Sequence, residues 1–169
     1  MKKFALVALL AAGAVWLWRH DKQVDVADGG GGKLLTGRVW IDHLPRNDHD
    51  RVQVLALLKK HPFGQFVGTS QWKGAWEGFR YEPRGEGRLA VTWPDTRSTD
   101  QVTYSARRCG ERGFDFCLDI KGATRGVQRY FSKEGWDLDE DHGHGAADLG
   151  REVSDVLAQL PPPPADEQP

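Results

Sequence analysis

RLAVTW at 88–93, QVTYSARR at 101–108 and FDFCLDIK at 114–121 decide the fold. Each run alternates apolar and polar residues with a period of two, the pattern of a strand with one buried face. Leu89, Val91 and Trp93 share a face of the first run, and Val102, Tyr104 and Ala106 share a face of the second. Phe114, Phe116, Leu118 and Ile120 do so in the third. Pro94-Asp95-Thr96-Arg97-Ser98 turns the chain between the first two runs, and Glu111-Arg112-Gly113 between the last two. Connections this short make antiparallel neighbours.

The same signals, followed outward, predict eight strands: 34–41, 52–58, 63–70, 75–82, 88–93, 101–108, 114–121 and 125–131. In the second, Val52, Val54, Ala56 and Leu58 share a face, although 50–60 also suits a short helix capped by Asp48 or Asp50. The expected fold is mainly β, about eight antiparallel strands in a meander. Closure into a barrel, or strong curling toward one, removes the exposed edges. A β-sandwich of the same strands is the alternative. This β domain covers 34–136. An acidic His/Gly loop follows at 137–146. Leu149, Val153, Val156, Leu157 and Leu160 then recur at helical spacing and predict an amphipathic helix over 147–160. Pro161 to Pro164 stop it, and 161–169 reads as a disordered tail.

Upstream, Lys2 and Lys3 precede an apolar run from Phe4 to Trp18, and Arg19-His20-Asp21-Lys22 closes it. Charged head, apolar segment and the glycines 29–32 in a flexible linker over 19–33 are the order of an exported or membrane-anchored bacterial chain. Segment 1–18 is therefore a signal peptide or an uncleaved membrane anchor. Fifteen residues span about 22 Å, short of the ~30 Å hydrocarbon core, and length alone favours a signal peptide. Trp16 and Trp18 at the interface, and the misplaced Ala12-Gly13-Ala14 cleavage site, favour the anchor. The expected location is the bacterial inner membrane with the domain facing the periplasm. A cleaved leader would leave the domain periplasmic or secreted.

Net charge is −1 and no basic stripe occurs, so nucleic acid is not the expected partner. The two cysteines, Cys109 and Cys117, fall on the outer face of one predicted hairpin, opposite each other, and read as a disulfide in an oxidising compartment. Of the seven Trp and seven Phe, five and six fall in 34–136, many for one small domain, and some could line a cavity as well as fill a core.

Three groupings could carry chemistry. Asp42, His43, Arg46, Asp48, His49 and Asp50 lie in one polar turn. It reads as a partner-contact loop, as a structured turn held by its own Asp and Asn side chains, or as an acid–base site of His43 with Asp42 or Asp48. Asp139-Glu140-Asp141-His142-Gly143-His144 offers metal-ligand chemistry, but adjacent carboxylates cannot all face one ion, so no metal or other cofactor is expected. Arginines alternate with apolar residues on the later strands. Arg129 shares parity with Val127 and Phe131, which predicts an inward arginine able to hold an anionic group.

Gly37 to Asn47, with Ser70-Gln71-Trp72-Lys73-Gly74 and Gly126-Val127-Gln128-Arg129-Tyr130, resembles a family of uncharacterised bacterial envelope proteins. That resemblance implies an N-terminal membrane segment and a small β domain, and no activity. The architecture is more loosely similar to lipocalins and other calycins. Their first-strand G-x-W is absent, because Gly37 and Trp40 are one residue too far apart and Gly74-Ala75-Trp76 falls in the fourth strand. The leading expectation is a non-enzymatic, membrane-tethered barrel binding an apolar or amphipathic ligand such as a lipid. Trp72, Trp76, Trp93, Tyr104, Phe114, Phe116 and Arg129 would form its site. An interaction module using the 42–50 loop comes second, its protein partner unknown, and a hydrolase-like enzyme third.

Overall fold

RVWI at Arg38–Ile41 and VQVLAL at Val52–Leu57 are apolar at almost every position, which is the mark of strands covered on both faces. The computed structural model shows what covers them. It describes residues 31–47, 50–60, 63–70, 73–138 and 146–160, with the backbone alone at 63, 65–70, 73–76 and 146–149. A short helix α1 (Gly32–Leu35) leads into β1 (Arg38–Ile41), β2 (Val52–Leu57), β3 (Phe63–Ser70), β4 (Lys73–Pro83) and β5 (Arg88–Trp93). Then come β6 (Ser98–Arg108), β7 (Phe116–Lys121), β8 (Arg129–Ser132) and the helix α2 (Ala146–Ala158).

Each strand pairs antiparallel with the next, and the strongly curled sheet closes as β8 returns to β1. The seam is thin. Ile41 opposite Phe131 is its one ladder pair. The segment after β8 completes it: Val39 N donates to Trp136 O at 2.9 Å, Leu138 N donates to Gly37 O at 2.9 Å, and Arg38 bridges to Asp137. Ser132 Oγ adds a bond to Val39 O.

Two apolar cores result. The inner one fills the barrel with Trp40, Leu55, Leu57, Phe79, Tyr81, Leu89, Trp93, Tyr104, Phe116, Leu118 and Tyr130, among others. The outer one lies between the outside of β1, β2, β7 and β8 and one face of α2. There Val39, Ile41, Val54, Ala56, Phe114 and Phe131 meet Val153 and Val156, with Leu157 and Leu160 packed against them. The spacing 153, 156, 157, 160 is that of one helical face. β2 thus feeds both cores: Val52, Val54, Ala56 and Leu58 point outward under the helix, and Leu55 and Leu57 point inward.

Several boundaries move. The first strand starts at Arg38, because residues 32–35 turn as a helix: Leu34 and Leu35 N–H both bond Gly31 O. The 50–60 stretch is a strand and not a helix. β7 starts at Phe116, since Arg112 and Gly113 take positive φ and carry the turn to Phe114. That moves Phe114 off the inner face expected for it and into the outer core, where it stacks on Phe131 at 5.1 Å. At Gly64 the sheet tolerates no side chain, because a Cβ there would run into the Phe79 ring and stand 2.9 Å from Ala56 O.

The cysteines form the expected disulfide, with Cα atoms 5.7 Å apart across the β6–β7 hairpin. Among the described residues no helix is long and apolar enough to cross a membrane. The apolar run at 4–18, most of the 19–33 linker, most of the 137–146 loop and the 161–169 tail lie outside the described residues.

Candidate functional site

Alternation along β4, β5, β6 and β7 aims a ring of apolar side chains at the barrel axis. They do not quite meet. A cavity of about 40 Å³ remains, walled chiefly by Leu55, Leu89, Val91, Val102, Ile120 and Tyr104. Leu35 closes one end, held by Trp40, whose Nε1 donates to Leu35 O at 2.9 Å. The sequence predicts neither the helical turn nor its use as a plug, for Leu34-Leu35 reads as the start of the first strand.

Residues 122–127 also border the cavity, which Ala123 and Arg125 line. Asp100, buried on β6, is the anchor. Its Oδ2 accepts from Trp93 Nε1 at 3.0 Å, Thr124 N at 2.8 Å and Thr124 Oγ1 at 2.7 Å. Burial pushes the Asp100 carboxyl up, but these three donors outweigh it and hold the group below the usual carboxylate range. Arg125 then lies over the Trp93 ring at 4.4 Å, with Nη1 2.5 Å from Glu77 and Nη2 2.9 Å from Asp95. Glu77 shares the parity of Phe79 and Tyr81, so this ion pair stands across the barrel mouth. Asp95 first, then Glu77, raise the Arg125 pKa. The Asp100–Thr124–Arg125 latch has no short-range sequence signature, because its partners are separated by 24 to 48 residues.

Of the residues expected in the cavity, Trp93 and Tyr104 line it. Phe116 belongs to the inner core beneath it. Phe114 does not face it. Trp72 lies outside the described residues, and Trp76 is placed only as a backbone position on β4, opposite Val67. The inward placement expected of Arg129 is corrected: its side chain is on the outside, 43% exposed, 2.6 Å from Glu111 and 3.6 Å from Asp119. Parity with Phe131 holds, but Phe131 faces the outer core. A wider hollow of about 610 Å³ lies on this outer surface, lined by Thr103, Ser105, Asp119, Lys121, Gln128 and Arg129. It is open and of mixed character, with Tyr104 and Ile120 also in its lining, and its one carboxylate, Asp119, is shared by Arg129 and by Arg107 beside it.

Compared with known proteins, the chain matches no family model, no curated protein and no solved structure. Its function rests on the geometry of these sites.

The β1–β2 turn has a different character. His43 sits between two carboxylates, Nδ1 2.8 Å from Asp42 and Nε2 3.0 Å from Asp50. Asp50 Oδ2 also accepts from Arg46 N and Nε, each at 3.0 Å, and Asp42 accepts from Gln53 N at 2.9 Å. With both ring nitrogens engaged, His43 is placed to tie the turn together and has no nitrogen left over for a substrate proton. Asp48 and His49 lie outside the described residues. The compact group Cys109, Glu111 and Cys117 has metal-ligand atoms, but the disulfide takes both sulfurs.

Acid should loosen this turn. The Arg46 side chain, and then its backbone N–H and His43, hold the Asp50 pKa well below the usual range. Its contribution is complete above the unfolded-state value near pH ~4 and is lost as pH falls through the lower folded value. Burial raises Asp42, which therefore changes stability in the opposite sense and only partly offsets the loss. We expect Asp50→Asn to cost about 1 kcal/mol at pH 7 and clearly less at pH ~2, where part of the contribution is already lost. Urea midpoints at the two pH values measure it, and an equal difference at both would show that Asp50 is not the titrating anchor.

Proposed function

We propose that the chain is a membrane-tethered, envelope-facing β-barrel that binds a small apolar ligand in its interior and is not an enzyme. The supporting observation is the apolar cavity lined by Leu35, which Trp40 holds, and by Arg125, which Glu77 and Asp95 hold. The membrane and periplasmic placement is supported by the charged head, the apolar run and the glycine linker of residues 1–33, and by the disulfide. The likeness to bacterial envelope proteins agrees with it, and the lipocalin-like part of the reading is the barrel plan with its C-terminal helix. About 40 Å³ is far below the ~300–1,000 Å³ typical of drug-sized ligands, so an acyl chain does not fit and the ligand is narrowed to a much smaller molecule.

Xenon applied to the full-length protein tests this reading, because a single apolar atom matches so small a cavity. We expect a saturable rise in Tm with xenon pressure, strongly reduced in Val102→Leu, which puts one more carbon into the cavity. A Tm unmoved by xenon would overturn ligand binding. It would then favour a filled interaction module contacting a partner through the 42–50 loop, a reading that the small size of the cavity supports.

A further inference from the structure

The β1–β2 turn has a proton count that does not balance. A neutral imidazole has one N–H and one lone pair. Both His43 nitrogens nonetheless stand against carboxylate oxygens, Nδ1 2.8 Å from Asp42 Oδ1 and Nε2 3.0 Å from Asp50 Oδ2. With both carboxylates ionised and one proton on the ring, one of these contacts sets a nitrogen lone pair against an anionic oxygen, and it repels. Other donors fix the same oxygens in place: Asp42 Oδ1 accepts from Gln53 N, and Asp50 Oδ2 accepts from Arg46 N and Nε. The two carboxylates are only 14% and 11% exposed, so water screens the contacts little. One more proton, on the ring or on Asp42, makes both contacts attractive.

We infer that the β1–β2 turn is a pH-sensitive clasp, closed by a proton that Asp42, His43 and Asp50 share and released when that proton leaves. The proton belongs to the three groups together and not to one residue. The clasp joins the two ends of the turn, because Asp42 directly follows β1 and Asp50 lies two residues before β2. Release frees residues 43–47 while the ladder between Arg38–Ile41 and Val54–Leu57 stays paired. Among the described residues, the other charged group on the clasp is Arg46, which is 3.0 Å from Asp50. From β8 the Tyr130 hydroxyl interacts with Asp42, but burial pushes its pKa up to about 12 and keeps it neutral. Burial also raises the Asp42 carboxyl, which favours holding the proton. The inference is independent of ligand binding in the barrel.

In the unfolded chain an imidazole loses its proton near pH ~6.5. A clasp that holds the proton adds stability that is complete below that pH and disappears as pH rises above it. Weak acid leaves Asp50 ionised, since Arg46 and His43 hold its carboxyl well below the usual range. Urea unfolding of the full-length protein at pH 5.5 and 8.5, as wild type and as His43→Gln, reads the effect. Glutamine keeps a hydrogen-bonding side chain that does not titrate. We expect the unfolding constant of wild type to be about tenfold smaller than that of the variant at pH 5.5, and within about twofold of it at pH 8.5, a factor of ten corresponding to one pK unit. A difference that is equal at the two pH values, or grows with pH, shows a plain structural bond and overturns the clasp. If His43→Gln does not fold, NMR of the wild-type protein decides. The His43 ring resonances should move at a higher pH in the folded than in the urea-unfolded chain, and an equal or lower midpoint overturns the inference.

Discussion

Trp40→Ala is expected to lower the stability of the barrel by about 3–5 kcal/mol. Trp40 is among the largest fully buried side chains and is inaccessible to solvent. Its ring packs in the inner core, so truncation leaves a void that a closed sheet cannot collapse to fill. Its indole N–H is also the bond that holds Leu35, and with it the plug, over one end of the barrel. Loss of the ring therefore opens the core and frees its cover together. Trp40→Phe separates the two effects: it keeps most of the hydrocarbon but leaves Leu35 O unpaired, for about 1–2 kcal/mol. Denaturant midpoints measure both, and the shift for Trp40→Ala corresponds to more than about 10 °C in Tm. A loss below 1 kcal/mol in Trp40→Ala would show that the plug and the inner core do not depend on this ring.

Breaking the Cys109–Cys117 disulfide is expected to cost about 2.5 kcal/mol. The two residues are eight apart, and closing so short a loop removes about that much chain entropy from the unfolded state. The native hairpin holds the bond without help, since Arg107 pairs with Cys117 in register and Cys109 N donates to Asp115 O at 3.0 Å. The stabilisation therefore acts on the unfolded chain, and the folded barrel should persist after reduction at lower stability. Urea unfolding with and without reductant gives the difference. The Cys109→Ala/Cys117→Ala double variant should be destabilised similarly and be indifferent to reductant. A reductant effect that survives in the double variant would locate the sensitivity elsewhere.

Much of the β architecture is legible in the sequence because period two survives wherever one face meets water. β5 and β6 show it most plainly, and the disulfide follows from their parity and that of β7. The reading fails where α2 creates a second apolar face on the outside of the sheet. Val52, Val54 and Ala56 alternate correctly, yet alternation cannot say which face is the inside. The same ambiguity placed Arg129 in the cavity, since Phe131 beside it is apolar for the sake of the helix and not of the barrel. Phe114 was misplaced for a local reason: the positive φ at Arg112 and Gly113 makes a turn that shifts the register before β7. In the candidate site, Trp93 and Tyr104 were legible as inward aromatics. The Leu35 plug and the Arg125 latch were not, because their geometry depends on contacts between residues far apart in sequence.

The thin seam has a consequence for synthesis. β1 is made early, and the residues that cover its second edge, Phe131 and then Trp136 to Leu138, come about 90 residues later. At ~5–20 residues per second that interval is roughly 5–20 s. Once β2 has docked, β1 waits through it with one edge bare and two apolar faces uncovered, the condition under which strands pair with the wrong chain. The barrel can therefore close only after its last strand and the segment behind it have been made.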